Sequence, residues 1–348
     1  MPTNALSGTL AWQRKWRQRR LFLTLLWIAI ALFAIVDLML GPANLPWATL
    51  WQTLIEPANA DPTAHVIVWQ IRLPQAAMAI VVGAALGLAG AEMQTVLNNP
   101  LASPFTLGVS SAAALGAAVA LVFDWRLPFI PGQYALVVNA FVLAMLCAFM
   151  LDAVARRARI GSAGIILFGI ALVFTFNALL SLVQLTAGAS ALQDLVFWMM
   201  GSLERANWTK VALMCMALLM TLPFALRNAW KLTALRFGDD RAASFGVDTQ
   251  RVRRGALIRV SVLAAMAVAL VGIIGFVGLV APHIARRLWG EDHRWYLPAS
   301  ACIGSSILIA ASVAAKLLSS HALIPVGIVT TLVGIPFFIV ALMRRTVQ

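Results

Sequence analysis

Glu92 and Gln94 are two polar side chains inside an apolar run that extends over residues 73–97. A carboxylate at membrane depth is expensive to bury, so it normally faces a cavity or a partner. Both residues are therefore candidates to line a transport pathway. For Glu92 the sequence leaves two other interpretations open, an ion pair with another helix or a protonated acid. An intramembrane enzyme would need facing catalytic groups, such as two aspartates, and the sequence offers only isolated polar residues at such positions.

The apolar run stops at a segment of amides and prolines, which reads Asn98-Asn99-Pro100-Leu101-Ala102-Ser103-Pro104. A bilayer tolerates unpaired backbone groups only where protein or a water-filled cavity covers them. Because a second apolar run follows at once, this break predicts a pathway or a gate rather than a simple anchor. The alternative is that Asn98 and Asn99 only cap the end of the helix.

The elements that must position these residues are membrane helices. The chain of 348 residues is 61% hydrophobic and 11% charged, with a mean hydropathy of +0.89, whereas soluble domains are about 25% charged. Many apolar runs approach the ~20 residues that span a bilayer, so we expect an all-α integral membrane protein. The net charge of +13 comes mostly from basic residues between these runs, and no basic domain is large enough to bind nucleic acid. The three cysteines and four histidines have no metal-ligand spacing.

The charges of the loops predict ten membrane segments with both termini in the cytoplasm. Loops rich in Lys and Arg face the cytoplasm, and basic clusters occur at 14–20, 156–159, 227–259, 286–294 and 344–345. A single crossing by the run 257–285 would place the cluster at 286–294 outside. Because this run contains Gly272, Gly275 and Gly278, we expect a full helix and then a short half-helix that returns to the inside. The alternative is one long tilted helix with a misplaced loop.

Three segments lie outside the membrane core. Residues 1–20 form a basic cytoplasmic N-terminus, and residues 228–256 form the longest cytoplasmic connection. Residues 41–70 lie on the outer side and contain three tryptophans of the kind found in interfacial helices, namely Trp47, Trp51 and Trp69.

Four blocks of residues, in order along the chain, match a known family. They are Arg72-Leu73-Pro74 with Gly83-Ala84, Gly90-Ala91, Gln94 and Asn99-Pro100-Leu101-Ala102; Trp198-Met199-Met200-Gly201-Ser202-Leu203; Phe237-Gly238-Asp239-Asp240-Arg241-Ala242-Ala243; and Gly275-Phe276-Val277-Gly278-Leu279-Val280-Ala281-Pro282-His283 with Pro325-Val326-Gly327 and Gly334-Ile335-Pro336. On these blocks the chain, from about Gln70 to Arg345, resembles the FecCD-like permease subunit of type II ABC importers. That family takes up iron-siderophores, haem and cobalamin.

The resemblance implies a cobalamin-permease-like bundle of about ten transmembrane helices, with residues 1–348 as a single permease domain. It also implies a multi-pass protein of the bacterial inner membrane. The expected partners are an ABC ATPase subunit, a periplasmic substrate-binding protein, and a second copy or a homologous permease, all assembled at the lipid bilayer. The chain has no Gly-x-x-x-x-Gly-Lys-Ser/Thr loop for nucleotide phosphates. We therefore expect no enzyme activity, metal or cofactor in this chain, with ATP used by the partner.

The resemblance assigns two sets of residues at the cytoplasmic side. A gate is formed by Asn99 and Leu101 after the second membrane helix and by Ser162 and Ala163 at the start of the fifth. The coupling segment turns between two short helices that contact the ATPase, through Phe237, Gly238, Asp239, Asp240 and Arg241. Without the resemblance, a solvated charged loop would be the simpler interpretation of that segment.

At the outer face the resemblance assigns binding-protein docking to Arg72, Gln75 and Lys316. The last two replace the family's usual arginines, and a lysine retains the charge but not the planar fork of an arginine. The alternative for Arg72 is a side chain that extends to the membrane surface. Three positions at which the family usually has acids are occupied by other residues, namely Ser103, Ser312 and Leu323.

These patterns favour a permease of an ATP-driven, binding-protein-dependent importer. Iron-siderophore is the expected cargo because it is the commonest in the family, and haem and cobalamin are the alternatives. A proton-coupled secondary transporter, with Glu92 as the proton relay, is the second hypothesis. In that case no ATPase would be needed and the 228–256 segment would be incidental.

Overall fold

The computed structural model describes residues 3–43, 45–157, 162–318 and 324–343. Within these ranges the chain forms α-helices joined by short connections: α1 (Thr3–Met39), α2 (Trp47–Ile55), α3 (Pro62–His65), α4 (Leu73–Val96), α5 (Val109–Phe123), α6 (Gly132–Arg157), α7 (Ser162–Leu185), α8 (Ala189–Met199), α9 (Trp208–Arg227), α10 (Ala229–Leu235), α11 (Asp239–Ser244), α12 (Thr249–Val271), α13 (Val277–Trp289), α14 (His293–Leu318) and α15 (Val326–Met343). A π-helical segment, Val66–Arg72, joins α3 to α4, so that Pro62–Val96 forms one continuous helix.

The helices of the described ranges account for the ten predicted membrane segments. Seven helices are long and apolar enough to cross a bilayer, and they contain α1, α4, α6, α7, α9, α12 and α14. Two shorter apolar helices are α5 and the first part of α15. The tenth segment is α13, a helix of 13 residues, which at 1.5 Å per residue is about 20 Å long and too short to cross alone.

The long apolar run 257–285 is broken rather than continuous. Helix α12 ends at Gly272, whose φ is +78°, and α13 begins after Phe276, whose φ is +65°. The far end of α13 returns to the basic start of α1, because Arg19 Nη2 donates to the carbonyl of Trp289 at 2.9 Å and Trp289 Nε1 donates to the carbonyl of Arg19 at 3.2 Å. The predicted hairpin is thus confirmed, and the alternative of one long tilted helix is wrong.

Among the seven long membrane helices, the one that contains α4 is the most enclosed, because 78% of its most apolar 18-residue stretch is buried. Its glycines meet the backbone of two neighbouring helices. A Cβ atom on Gly83 would lie 2.4 Å from the carbonyl oxygen of Gly304 in α14, and one on Gly90 would lie 1.7 Å from that of Gly278 in α13. Only glycine permits such close approach, so these positions set the distances between α4, α13 and α14.

The outer connection contains the predicted interfacial helix, α2. The tryptophans hold it to the bundle, because Trp69 Nε1 donates to the carbonyl of Thr53 at 3.0 Å and Trp208 Nε1 donates to the carbonyl of Trp69 at 2.8 Å. At the N-terminal side, α1 continues unbroken through the basic residues 14–20. The basic residues at 344–345 lie outside the described part of the chain.

The hairpin of α12 and α13 predicts which side of the membrane can label two engineered cysteines. In a variant without the three native cysteines, Arg287→Cys at the end of α13 should react with a membrane-impermeant maleimide only from the cytoplasmic side. Gly188→Cys, between α7 and α8, should react from the outer side and serves as the control. The measurement is labelling of right-side-out vesicles before and after permeabilisation. Labelling of Arg287→Cys in intact vesicles would contradict the hairpin.

Candidate functional site

Glu92 pairs with an arginine of another helix. Arg259 of α12 donates from Nε to both carboxylate oxygens of Glu92 at 3.0 Å and from Nη2 to Oε1 at 2.8 Å. Glu92 is 1% exposed and Arg259 is 9% exposed. Of the interpretations that the sequence leaves open, the structure supports the ion pair. Arg259 occupies the carboxylate of Glu92 in this structure. A pathway role for Glu92 stays a prediction.

Arg259 is a site residue that the sequence reasoning missed. It was grouped with the basic connection 227–259, yet it lies inside α12, after Ala256 and Leu257. A signal was available, since one buried cation near the apolar part of α12 and one buried anion in α4 suggest each other as partners. Only the fold shows which neighbouring helix supplies the partner.

Gln94 joins α4 to α13. Its amide nitrogen donates to the carbonyl of Leu279 at 3.3 Å, and its amide oxygen accepts from Arg286 Nη2 at 3.2 Å. The same Arg286 nitrogen donates to the hydroxyl of Tyr296 in α14 at 3.1 Å. Gln94 is fully buried, so it holds helices together in this chain, and its pathway role also stays a prediction.

The predicted gate begins where α4 ends. Asn98 adopts a left-handed conformation with φ +45°, which asparagine tolerates better than most residues. The side-chain oxygen of Asn99 accepts from the main-chain N–H of Leu101 at 2.9 Å. Asn98 and Asn99 therefore both help to end helix α4, which was the alternative to a gate in the sequence analysis. The two roles are compatible, because a gate loop also needs a defined backbone.

The other gate residues are partly open to contact from outside the chain. The side chain of Leu101 is 38% exposed, and Ala163 at the start of α7 is exposed. The side chain of Ser162 lies outside the described residues. Ser103 caps the following turn, accepting from the N–H of Phe105 at 3.3 Å. The gate stays a prediction, with Leu101 and Ala163 accessible to a second copy.

The coupling segment consists of two short helices, as predicted. Helices α10 and α11 flank Gly238, whose φ of +96° favours glycine. The segment presents two aromatic side chains, Phe237 at 58% and Phe245 at 59% exposure. Asp240 and Arg241 are exposed as well. This surface is both apolar and charged, as a protein contact requires.

Asp239 differs from its neighbour Asp240 because it has a partner in the membrane bundle. Arg253 Nη2 of α12 donates to Asp239 Oδ1 at 2.8 Å, with side chains that are 29% and 48% exposed. The coupling segment is therefore attached to α12 through α11. The contact of the segment with an ATPase stays a prediction.

A cluster of polar side chains joins α10 to the ends of α4 and α14. We call it the inner polar cluster, and it consists of Thr95, Asn98, Thr233, Arg236, Glu291 and His293. Arg236 donates from Nη1 to Asn98 Oδ1 at 3.0 Å and also forms an ion pair with Glu291. Partial burial raises the pKa of the Glu291 carboxyl, but the hydrogen bond and charge of Arg236 and the charge of Arg286 outweigh it, so the pKa is below its usual value.

Arg72 and Lys316, two of the predicted docking residues, are engaged inside the chain. Arg72 is 3% exposed and donates to the carbonyls of Leu38 at 2.7 Å and Met39 at 3.2 Å, and also to that of Ala43. It caps the end of α1 instead of extending to the membrane surface. Gln75 is half-buried and lines with Arg72 and Lys316 an outer cavity of about 320 Å³.

Lys316 pairs with a carboxylate from α1. Its Nζ lies 2.8 Å from Asp37 Oδ2, and Ser312 donates to Asp37 Oδ1 at 2.6 Å. Asp37 thus places a carboxylate beside Ser312, where the resemblance leads one to expect an acid. Leu323 lies outside the described residues. Docking of a binding protein through Arg72, Gln75 and Lys316 stays a prediction, and the two cations would need to leave these partners to take part.

Among the described residues, no group of three or more His, Cys, Asp or Glu side chains could hold a metal ion. His293, which lies within the basic loop predicted at 286–294, is 1% exposed and begins α14 inside the inner polar cluster. No sequence pattern marked it, because its partners Thr95 and Thr233 are distant along the chain.

Comparisons with known proteins agree over nearly the whole chain. The profile of the FecCD transport family matches residues 25–344. The hemin transport system permease protein HmuU of Yersinia pestis is 34% identical over 332 residues, covering 95% of this chain and 98% of that protein. The iron(3+)-hydroxamate import system permease protein FhuB of Bacillus subtilis is 34% identical over 313 residues, covering 89% of this chain and 79% of that protein.

A solved structure has the same fold. It is an ABC transporter assigned to the metal-chelate type, in an inward-facing conformation, and it is 29% identical to this chain with a TM-score of 0.81. The match covers 93% of this chain and 99% of that one. The all-helical membrane bundle that the sequence predicts is confirmed.

The ion pair of Glu92 and Arg259 predicts a pattern of thermal stabilities. Glu92→Leu should destabilise the chain by about 3 kcal/mol, because it leaves a buried guanidinium unpaired. The double variant Glu92→Leu/Arg259→Leu should recover most of that loss, since neither charge remains. The measurement is thermal unfolding of the purified protein in detergent. A double variant that is less stable than Glu92→Leu would contradict the account.

Proposed function

This chain belongs to the FecCD transport family, and we propose that it is the membrane-spanning permease of an ATP-driven importer for iron-siderophore complexes. The observation that carries the ATP-driven mechanism is the exposed turn and helix α11 after the buried helix α10, a segment that is attached to the membrane bundle at both ends. The names of two relatives describe transport of hemin and of iron hydroxamate. Both cargoes are iron chelates, which supports this class of cargo over free ions.

The ATPase is a separate subunit in this proposal. The chain lacks the glycine-rich loop that binds nucleotide phosphates, and the longest predicted cytoplasmic connection, 228–256, contains the coupling segment. Phe237 and Phe245 supply exposed apolar area for the contact, and Asp240 and Arg241 supply charges around it. A compact pair of helices can pass a rigid-body movement of the ATPase to α4 and α12.

Substrate moves along the interface of two permeases, the second being another copy or a homologous chain. A ring of leucine side chains closes a pore by excluding water, and we assign this role to Leu101, next to Asn99 at the end of the helix. Ser162 and Ala163 form a second constriction of the same gate. A substrate-binding protein delivers the chelate to the outer mouth near the cavity lined by Arg72, Gln75 and Lys316. The bacterial inner membrane is the location that such an assembly requires.

The proton-coupled alternative is not supported. A proton relay needs a carboxyl group that exchanges its proton with water. Glu92 is 1% exposed, and its carboxylate accepts three hydrogen-bond contacts from Arg259. The similar solved structure is that of an ABC transporter, and the two relatives are permease proteins of import or transport systems by name.

The proposed function predicts the energy source of uptake. The chain is purified with its ATPase, reconstituted in liposomes with the binding protein, and supplied with a radiolabelled ferric hydroxamate. Uptake should require ATP and should persist when the proton gradient is abolished. Uptake that follows the proton gradient without ATP would contradict the proposal, and a matched reaction with a non-hydrolysable ATP analogue is the control.

The coupling segment predicts different effects for its two aspartates. The double variant Asp239→Ala/Asp240→Ala should reduce uptake while membrane insertion stays intact. Of the single changes, Asp239→Asn should reduce uptake roughly threefold, because it weakens a partly exposed ion pair with Arg253. Asp240→Asn removes a neighbouring charge of the same segment but not this ion pair, so it is the comparison variant that separates the two effects. Unchanged uptake in the double variant, measured at equal membrane content, would count against coupling.

A further inference from the structure

Three side chains form a buried bridge between the coupling segment and the end of α4. His293 Nε2 lies 2.7 Å from Thr95 Oγ1 of α4, and His293 Nδ1 lies 3.1 Å from Thr233 Oγ1 of α10. His293 is 1% exposed and Thr95 is 2% exposed. We call these three residues the histidine bridge, and it lies within the inner polar cluster.

The carbonyl beside the ring of His293 fixes the hydrogen-bond donors of the bridge. Nδ1 lies 3.0 Å from the carbonyl oxygen of Glu291, which can only accept, so Nδ1 carries the proton of the neutral ring. Nε2 is then the acceptor, and Thr95 donates its hydroxyl proton to it. Thr233 donates its own hydroxyl proton to the carbonyl of Ala229 at 3.0 Å and is an acceptor towards His293.

The main chain of His293 makes the other half of the bridge. Its N–H donates to Thr233 Oγ1 at 3.0 Å, while its Nδ1 lies 3.0 Å from the carbonyl oxygen of Glu291. One residue thus holds α10 with its backbone and α4 with its side chain. Because the site is shielded from water, each of these bonds is costly to break without a replacement partner.

A second connection runs beside the first. Arg236 directly precedes Phe237 of the coupling segment, and it donates from Nη1 to Asn98 Oδ1 at 3.0 Å. It also pairs with Glu291, two residues before His293. One connection starts in α10 and the other directly after it. They reach Thr95 in the last turn of α4 and Asn98 just after that helix, immediately before Asn99.

We propose that the histidine bridge makes α10 and the cytoplasmic end of α4 move as one body, so that His293 is a positioning residue for the gate. Packed interiors pass on displacement because they contain few voids that could absorb it. The glycine contact of α4 with α14 at Gly83 limits any shift in the middle of α4. A movement of α10 therefore displaces the segment after Asn98. This inference rests on the proposed function.

The test separates ATP hydrolysis from transport in the reconstituted complex described above. Thr95→Val and Thr233→Val remove one hydroxyl each with little change in shape, and Thr95→Ser and Thr233→Ser retain it. The matched control is Thr221→Val in α9, a buried threonine whose hydroxyl bonds the carbonyls of Ala217 and Leu218 in its own helix. The rates of ATP hydrolysis and of ferric hydroxamate uptake are measured for each variant.

The two valine variants should retain ATP hydrolysis and the bound ATPase, and uptake per ATP should fall about fivefold, the factor that corresponds to one hydrogen bond. The serine variants and Thr221→Val should keep the wild-type ratio. A purely structural role would lower the yield and the thermal stability but leave the ratio unchanged. The double variant Thr95→Val/Thr233→Val should have nearly the same uptake per ATP as either single valine variant, because either change interrupts the same bridge.

Three results would overturn the inference. A wild-type ratio in both valine variants would do so while leaving the proposed function intact. Loss of folded protein in both would show that the bridge only stabilises the chain. If Thr95→Val alone fails to fold, Thr233→Val at the half-buried side decides the question. Wild-type complex without ATP-dependent uptake would instead overturn the proposed function and this inference with it.

Discussion

The close contact of α4 with the backbones of α13 and α14 is the constraint on which the rest of the structure depends. A bilayer requires that non-helical backbone be covered by protein, and α13 is a half-helix with such backbone at its start. Gly90 of α4 lets Gly278 of α13 approach to a distance that any side chain would prevent. The start of α13 therefore packs against α4, while the break itself, at Gly272 and Ile273, lies against Trp198, Gly201 and Gly327. The hairpin returns its basic end to the cytoplasmic side.

Once α4 is fixed in the centre, the polar residues in its last turns and just after it meet three different elements. Glu92 binds Arg259 of α12, Gln94 binds α13, and Thr95 and Asn98 connect to α10 through His293 and Arg236. The coupling segment also reaches α12 through Asp239. Both attachments of the coupling segment thus lead to α4, which ends at the predicted gate. A helix held in this way converts a movement at the cytoplasmic surface into a movement of the gate.

The sequence predicts the crossings better than the contacts. The return of the chain at 257–285 follows from loop charge, because membrane insertion makes charge depend on side. The helix pair around Gly238 was expected from the family resemblance. The partner of Glu92 was not predicted, since a sequence indicates depth along a helix but not which neighbour a side chain faces. For the same reason Arg72 was expected at the outer surface, whereas the fold directs it to the end of α1.

The most direct test of this account is a distance between spin labels on Asp240→Cys in α11 and Leu101→Cys after α4. The distance within the chain is measured with one doubly labelled chain per complex, and the Leu101–Leu101 distance is measured with a single label on each permease. Both are measured without nucleotide and with ATP trapped. The account predicts that this distance within the chain stays constant to about 2 Å, a change no larger than a small helix shift, while the Leu101–Leu101 distance between two permeases changes. A change within the chain as large as that between the permeases would contradict movement as one body.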